Sequence, residues 1–140
     1  MDIVFLIGRI LFGVVFVYSG IGHFAAAEAM QGYARQQGAP APAVTVPLTG
    51  VVIIVSGLAV IFGVLADLAA LLIAGFLVLT AFLIHHFWTV EDPQMRQLEQ
   101  VHFSKDLALA GAALVFFYVW NQLQGDAGLS ITDPLFSRGG

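Results

Sequence analysis

Four long apolar segments, separated by shorter polar ones, dominate the pattern of hydrophobic and polar positions along the chain. An α-helix of about 20 residues is needed to cross the roughly 30 Å hydrocarbon core of a bilayer. We therefore predict membrane-spanning helices at about 3–22, 48–65, 68–88 and 101–123. Residues 1–123 then form a single four-helix transmembrane domain, and residues 124–140 form a polar, loosely held C-terminal tail.

The polar connections predict two further short helices. FAAAEAMQGYARQQG follows the first span and is typical of a helix lying at the membrane interface. GAPAPAVTVP, with three prolines, predicts an extended loop before the second span. Asp92-Pro93 favours a short amphipathic helix before the fourth span. The fold class is all-α, a polytopic membrane four-helix bundle with a short interfacial helix after helix 1 and another before helix 4.

Composition supports the membrane assignment and excludes several function classes. Hydrophobic residues make up 59% of the chain, charged residues 10%, and the mean hydropathy is +0.92. Five Lys and Arg residues against a net charge of −4 provide no basic patch, so we predict a lipid bilayer and not a nucleic acid as partner. Because cysteine is absent, any redox role requires a cofactor or a partner protein.

The first apolar segment could be mistaken for a secretory signal, since small residues follow it. Its length exceeds the roughly 7–15 apolar residues of a signal peptide. In addition, Asp2 replaces the usual basic start and Arg9 interrupts the apolar core. We interpret it as a retained helix.

The histidines collect at the predicted ends of the spans. His23 closes the first span, His85 and His86 close the third, and His102 opens the fourth, so all four lie at one face of the bilayer. Ionisable groups in or beside a bundle are costly and are often functional. The candidate ligand-binding residues come from three helices and the first connection: His23, Glu28, His85, His102, Lys105 and Asp106.

Helical spacing separates the two adjacent histidines. His85 continues the small-residue stripe of Ala74 and Ala81 and should point into the bundle, where it could meet His23. His102 and Asp106 share a face of the fourth helix and could hydrogen-bond. At the opposite face, Arg9 and Asp67 could form an ion pair. Four other residues are predicted interface anchors: His86, Trp88, Tyr118 and Trp120.

Three interpretations of the histidine cluster stay open on these grounds. It could be a set of interfacial anchors, a site for a quinone or other small apolar ligand with proton transfer, or a metal or haem site. His23 and His85 would be the best haem pair, and His102 with Asp106 plus His23 or His85 the best metal set. No ligand spacing is diagnostic, so no metal is assigned and quinone is preferred to haem as cofactor.

Four motifs in order resemble the DoxX family of small four-helix membrane proteins: RILFGVVFVYSGIGHF, M-x-x-YA-x-x-x-G-x-P, HHFW and FSKDLALAGAAL. The resemblance runs from about Arg9 to Leu114 and implies a multi-pass protein of the bacterial cytoplasmic membrane. Ser104-Lys105-Asp106 departs from the family, whose members more often have an apolar residue, Lys and Asn. The family takes its name from a subunit of a thiosulfate:quinone oxidoreductase.

The resemblance implies a membrane subunit associated with quinone-linked redox chemistry, acting with a membrane or redox partner or as a homo-oligomer. The alternatives are a non-catalytic structural or assembly subunit and a carrier of a small hydrophobic molecule. Enzymatic activity is not assigned.

Overall fold

The computed structural model describes residues 2–123, 126 and 128–136, and that part of the chain contains helices and no strand. The helices are α1 (Asp2–Ala25), α2 (Ala27–Gln36), α3 (Pro42–Phe62), α4 (Ala66–Leu83) and α5 (Pro93–Leu123), and a 3₁₀ turn covers Phe87–Thr89. Four helical stretches are long and apolar enough to cross a membrane. The predicted polytopic helical architecture is confirmed.

Helix boundaries differ from the predictions in three places. α3 begins at Pro42, so residues 42–47 are helical and not part of the predicted extended loop, and Pro47 lies inside the helix. Pro42 is tolerated because it occupies the first turn, where its missing N–H costs no helical hydrogen bond. α4 ends at Leu83, so His85 lies just beyond the helix. The predicted short helix before the fourth span is continuous with it, forming the 31-residue α5.

The spans pack in the order α1, α3, α4 and α5 around the bundle. α1 packs on α3, α3 on α4 and α4 on α5, whereas the α1 and α5 backbones stay more than 8 Å apart in the described part of the chain. Aromatic rings fill the space between α1 and α5 in the half of the bundle that carries the chain termini. Those rings belong to Phe5, Phe12, Phe116 and Trp120.

Two glycine pairs bring α1 and α3 into close contact. A Cβ on Gly13 would lie 2.6 Å from the Gly57 carbonyl oxygen, and a Cβ on Gly20 would lie 2.7 Å from that of Gly50. Since the partners are seven residues apart on each antiparallel helix, the same contact repeats two turns along. Close backbone approach of this kind stabilises helix pairs in lipid, where no hydrophobic effect drives association.

We expect Gly57→Ala to destabilise the bundle by about 1–3 kcal/mol, because the new methyl group would overlap the Gly13 carbonyl oxygen. Thermal unfolding in detergent measures the effect. Gly75→Ala is the matched control, since no atom lies within 4 Å of its added methyl. Equal melting temperatures for the two variants would contradict the close α1–α3 contact.

Arg9 and Asp67 are both buried near the termini, but the predicted ion pair between them is not formed in the described structure. Arg9 donates to the carbonyl oxygens of Val60 and Ile61 at 3.0 and 2.7 Å. Asp67 accepts the N–H of Leu68 at 3.0 Å. The free carbonyls at the end of α3 and the free N–H groups at the start of α4 satisfy these charges separately.

The C-terminal segment, which we define as residues 128–136, also differs from its prediction as a loosely held tail. It lies across the turn between α3 and α4, with Ile131 and Thr132 donating their N–H groups to the Gly63 carbonyl oxygen. The remainder of the predicted tail, residues 124, 125, 127 and 137–140, lies outside the described residues.

Candidate functional site

His85 lies between two buried carboxylates at the end of the bundle away from the chain termini. Its Nδ1 is 2.7 Å from Glu99 Oε2, and its Nε2 is 3.7 Å from Asp106 Oδ2. The His85 side chain is 14% exposed, whereas the side chains of Glu99 and Asp106 are 5% and 7% exposed. One ring nitrogen of His85 therefore points towards each acid.

The acids come from one stripe of α5. Glu99, His102 and Asp106 are spaced by three and four residues, so they face the same side of the helix. This stripe is continuous only because α5 begins at Pro93 rather than at residue 101. Packing of α5 on α4 then places the stripe against His85, which follows α4 directly.

Tyr33 connects this cluster to the interfacial helix α2. Its hydroxyl donates a hydrogen bond to Oε1 of Glu99, while His85 holds the other carboxylate oxygen. Burial, and then the hydrogen bond to Glu99, raise the pKa of Tyr33 above its ordinary value. The result is an unbroken series of polar contacts from α2 through Glu99 and His85 towards Asp106.

The raised pKa of Tyr33 predicts a loss of stability at alkaline pH. The folded state keeps the Tyr33 proton above about pH 10, where the unfolded chain releases it, so stability falls as pH rises past that point. Tyr33→Phe should remove this part of the alkaline decline. Unfolding measured between neutral pH and alkaline pH tests it, with Tyr118→Phe as the control because Tyr118 is exposed.

His102 and Asp106 retain unused hydrogen-bonding capacity. The His102 ring stacks on His85 with centroids 5.0 Å apart, but neither its nitrogens nor the Asp106 oxygens make a hydrogen bond within the described structure. The hydrogen bond predicted between His102 and Asp106 is thus not formed. A ligand that enters the cluster could therefore form hydrogen bonds with the side chains of His102 and Asp106.

Proton placement in the cluster follows from the donor and acceptor inventory. If both acids are ionised, a charged His85 directs one N–H at each of them. If His85 is neutral with its proton on Nδ1, a proton on Asp106 faces Nε2 instead. These two states differ by one proton exchanged between His85 Nε2 and Asp106 Oδ2, and because these atoms are 3.7 Å apart, the exchange requires them to approach or a water to bridge them.

Four aromatic side chains stand beside the cluster. Phe103 of α5 is surrounded by Phe82, Phe87 and Trp88 with ring centroids 5.2, 5.4 and 5.7 Å away. Trp88 is 49% exposed, as expected for a ring at headgroup level. The polar cluster therefore has an apolar neighbour on its own side of the bundle.

The sequence is similar to a known protein family and to a known protein. The family model described as DoxX matches residues 4–86, more than half of the chain. The chain belongs to the DoxX family. It is 32% identical over 114 residues to the "Inner membrane protein YqjF" of Escherichia coli strain K12, covering 81% of this chain and 82% of that protein. No solved structure matched the chain.

Membership of DoxX agrees with the four apolar spans. Together with a relative named as an inner membrane protein, these spans identify a multi-pass protein of the bacterial cytoplasmic membrane. The family match ends at residue 86, after His85 but before Glu99 and Asp106. The carboxylate half of the cluster lies outside the matched region.

Three residues predicted to join the DoxX chain's ligand site lie apart from His85 or face outward. His23 is buried against α3, with Nδ1 2.9 Å from the Val46 carbonyl oxygen, and no hydrogen bond or ring contact joins it to His85 in the described structure. The proposed haem pair is therefore not assembled. Glu28 and Lys105 are exposed. The described residues contain no group of three or more His, Asp or Glu side chains placed to hold one metal ion.

The four predicted interface anchors occupy different environments. Tyr118 is 64% exposed, and Trp88 is exposed beside the cluster. The prediction for Trp120 is wrong, because its ring is fully buried between α1 and α5. His86 is half-buried, and its Nε2 lies 2.9 Å from the Gln37 carbonyl oxygen, so it ties the 3₁₀ turn to the end of α2.

Glu99 and Tyr33 are the site residues that the sequence analysis missed. Treating residues 89–100 as a polar connection, with a short helix separate from the fourth span, divides Glu99 from the His102 and Asp106 face. A signal was present, because Glu99 precedes His102 by three residues and Asp106 by seven, the spacing of one helical face. No comparable signal existed for Tyr33, whose contact depends on how α2 packs on α1 and α3 and so brings the tyrosine side chain within reach of Glu99 on α5.

Proposed function

We propose that this protein is a membrane subunit that binds a quinone-like or other small apolar ligand with a polar headgroup at the His85 cluster, and exchanges protons with it. The observation that supports the proposal is that His102 and Asp106 make no hydrogen bond in the described structure, although they lie beside a histidine whose ring is placed between two buried acids. A quinone carbonyl needs a hydrogen-bond donor and a proton source, and these side chains have that chemistry.

The roles of the individual groups follow from their contacts. His102 would donate to a ligand carbonyl, and Asp106 would supply a proton that His85 replaces. Glu99 and Tyr33 hold the His85 ring through Nδ1 and lead from the cluster to α2. The apolar rings around Phe103 would accompany the ligand's ring or tail.

Electrons must come from elsewhere in this proposal. Reduction of a quinone takes up two electrons and two protons, and the chain has no thiol to supply the electrons. We therefore include a redox partner protein or a bound cofactor in the proposal. The protein's own part is to bind the ligand and to move protons to it.

The test uses the two tryptophans, which lie near opposite ends of the bundle. In a Trp120→Phe background, Trp88 near the cluster is the only tryptophan reporter. Titration of a short-chain ubiquinone analogue into the protein in lipid nanodiscs should quench its fluorescence saturably. His102→Leu should weaken binding about tenfold through loss of one hydrogen bond to the ligand.

Tyr118→Phe serves as the matched control, since Tyr118 is exposed at the far face. It should leave the apparent affinity unchanged. Linear quenching without saturation, identical in all variants, would mean that the analogue only partitions into lipid and would overturn the proposal. Mass spectrometry of lipids extracted from purified protein adds an independent search for a bound ligand.

A further inference from the structure

The C-terminal segment is held almost entirely through its backbone. Arg9 donates to the carbonyl oxygens of Gly128 and Leu129 at 3.4 and 3.3 Å. Asp67 Oδ2 accepts the N–H of Phe136 at 2.8 Å, near the other end of the segment. Between them, the Gly63 carbonyl oxygen accepts two further backbone N–H groups from the segment.

Side chains of the segment contribute much less. Leu129 and Ile131 are each 71% exposed, and Leu135 is 55% exposed. Phe136 makes a ring contact with Phe117 of α5, with centroids 5.7 Å apart. The only side-chain acceptor described is Thr132 Oγ1, which receives the N–H of Leu65. Main-chain hydrogen bonds with a few side-chain contacts are one recurring way in which proteins bind extended peptides.

The bundle holds the two recognition groups in position without help from the segment. Arg9 is fixed by its bonds to α3 and by the Trp120 ring, whose centroid lies 5.1 Å from the guanidinium carbon. Asp67 is fixed in the first turn of α4. A donor group at one end and an acceptor at the other give the site a direction.

We propose that this face of the bundle is a binding site for one extended peptide, that the C-terminal segment occupies it reversibly, and that Arg9 and Asp67 recognise the segment's backbone. Release of the segment uncovers a buried cation and a buried anion at the face carrying the termini. The inference is independent of the ligand proposed at the His85 cluster, because the two sites lie at opposite ends of the bundle.

Opening of the site can be followed with a single cysteine, since the natural chain has none. Ser130→Cys places a thiol beside Gly63, where a glycine Cβ would meet Ser130 Cβ at 2.7 Å. In full-length protein the thiol should react slowly with a maleimide. Phe136→Pro removes both the N–H that Asp67 accepts and the ring that contacts Phe117, and should raise the labelling rate about tenfold or more.

Leu135→Pro is the matched control for Phe136→Pro. It adds a proline one position earlier, where no backbone hydrogen bond is described, and should leave the rate nearly unchanged. Asp67→Asn and Arg9→Gln change the bundle residues that bind the segment, and they should also accelerate labelling. Because Phe136→Pro alters only the segment, it remains informative even if the buried-charge variants fail to fold.

A synthetic peptide with the sequence of residues 126–136 tests whether the occupant can be exchanged. Added in excess to the Ser130→Cys protein, it should speed labelling by displacing the attached segment. The same peptide methylated on the Phe136 nitrogen should act much more weakly. Equal rates for Phe136→Pro and Leu135→Pro, no response to the peptide, or equal effects of both peptides would each overturn the proposal.

Discussion

Replacement of Glu99 by alanine is expected to lower the free energy of unfolding by about 2–4 kcal/mol, because two hydrogen-bonded groups lose their shared acceptor at about 1–3 kcal/mol each. The change leaves the Tyr33 hydroxyl and His85 Nδ1 without their described acceptor. Among the described residues, it also leaves Asp106 as the only acid within ion-pair distance of the His85 ring. Thermal or chemical unfolding of the purified protein in detergent measures the loss.

Glu91→Ala provides the control, because Glu91 is an exposed acid just before the start of α5. It should change stability by less than about 0.5 kcal/mol. A cycle of Tyr33→Phe and Glu99→Gln should yield a coupling energy of about 0.5–3 kcal/mol, since the two side chains are in direct contact. If Glu99→Ala were as stable as Glu91→Ala, the hydrogen-bonded cluster described at His85 would be wrong.

Trp120→Ala should cost about 3 kcal/mol, the lower end of the range for truncating a buried aromatic residue. The lower end applies because an unfolded helix in lipid or detergent keeps its apolar side chains out of water, so mainly packing is lost. The variant removes the ring that contacts Phe5, Phe116 and the guanidinium of Arg9. Unfolding in detergent and the loss of ordered aromatic signal in near-ultraviolet circular dichroism measure the effect.

Two variants separate burial from the indole group itself. Trp88→Ala removes the other tryptophan, which is half exposed, and should have a much smaller effect. Trp120→Phe retains a ring while removing an indole N–H that is buried without a hydrogen-bond partner in the described structure. That N–H is costly to bury, so the smaller ring should cost about 1 kcal/mol or less. Similar melting temperatures for Trp88→Ala and Trp120→Ala would contradict the aromatic packing described between α1 and α5.

The two aromatic residues show where sequence reasoning reaches its limit. Trp88 and Trp120 both lie near span ends, and the preference of tryptophan for interfaces predicts the same role for each. Only the arrangement of α1 and α5 decides that Trp120 fills the space between them. Likewise, the spacing of Gly50 and Gly57 predicts a close helix contact, but identifies neither α1 nor the Gly13 and Gly20 partners.

The candidate site divides in the same way. His85 was expected to face the bundle because of helical periodicity, yet α4 ends before it, so its position depends on the turn that follows the helix. His102 and Asp106 were correctly placed on one face of a helix. Their acidic neighbour Glu99 was missed because a helix start at Pro93 was read as a separate short element. Arg9 and Asp67 were placed at one face, but their partners are backbone groups, which carry no sequence signal.

The sequence by itself determined the class of this protein and the number of its spans, and it predicts that the histidines lie at span ends on one side of the bundle. Length and hydropathy suffice for these features, because the bilayer sets the thickness that each helix must cross. Only the tertiary structure decided that His85 lies between Glu99 and Asp106, that Tyr33 reaches Glu99, and that the C-terminal segment covers Arg9. These contacts join residues distant in the chain, and they depend on how helices rotate and where they end.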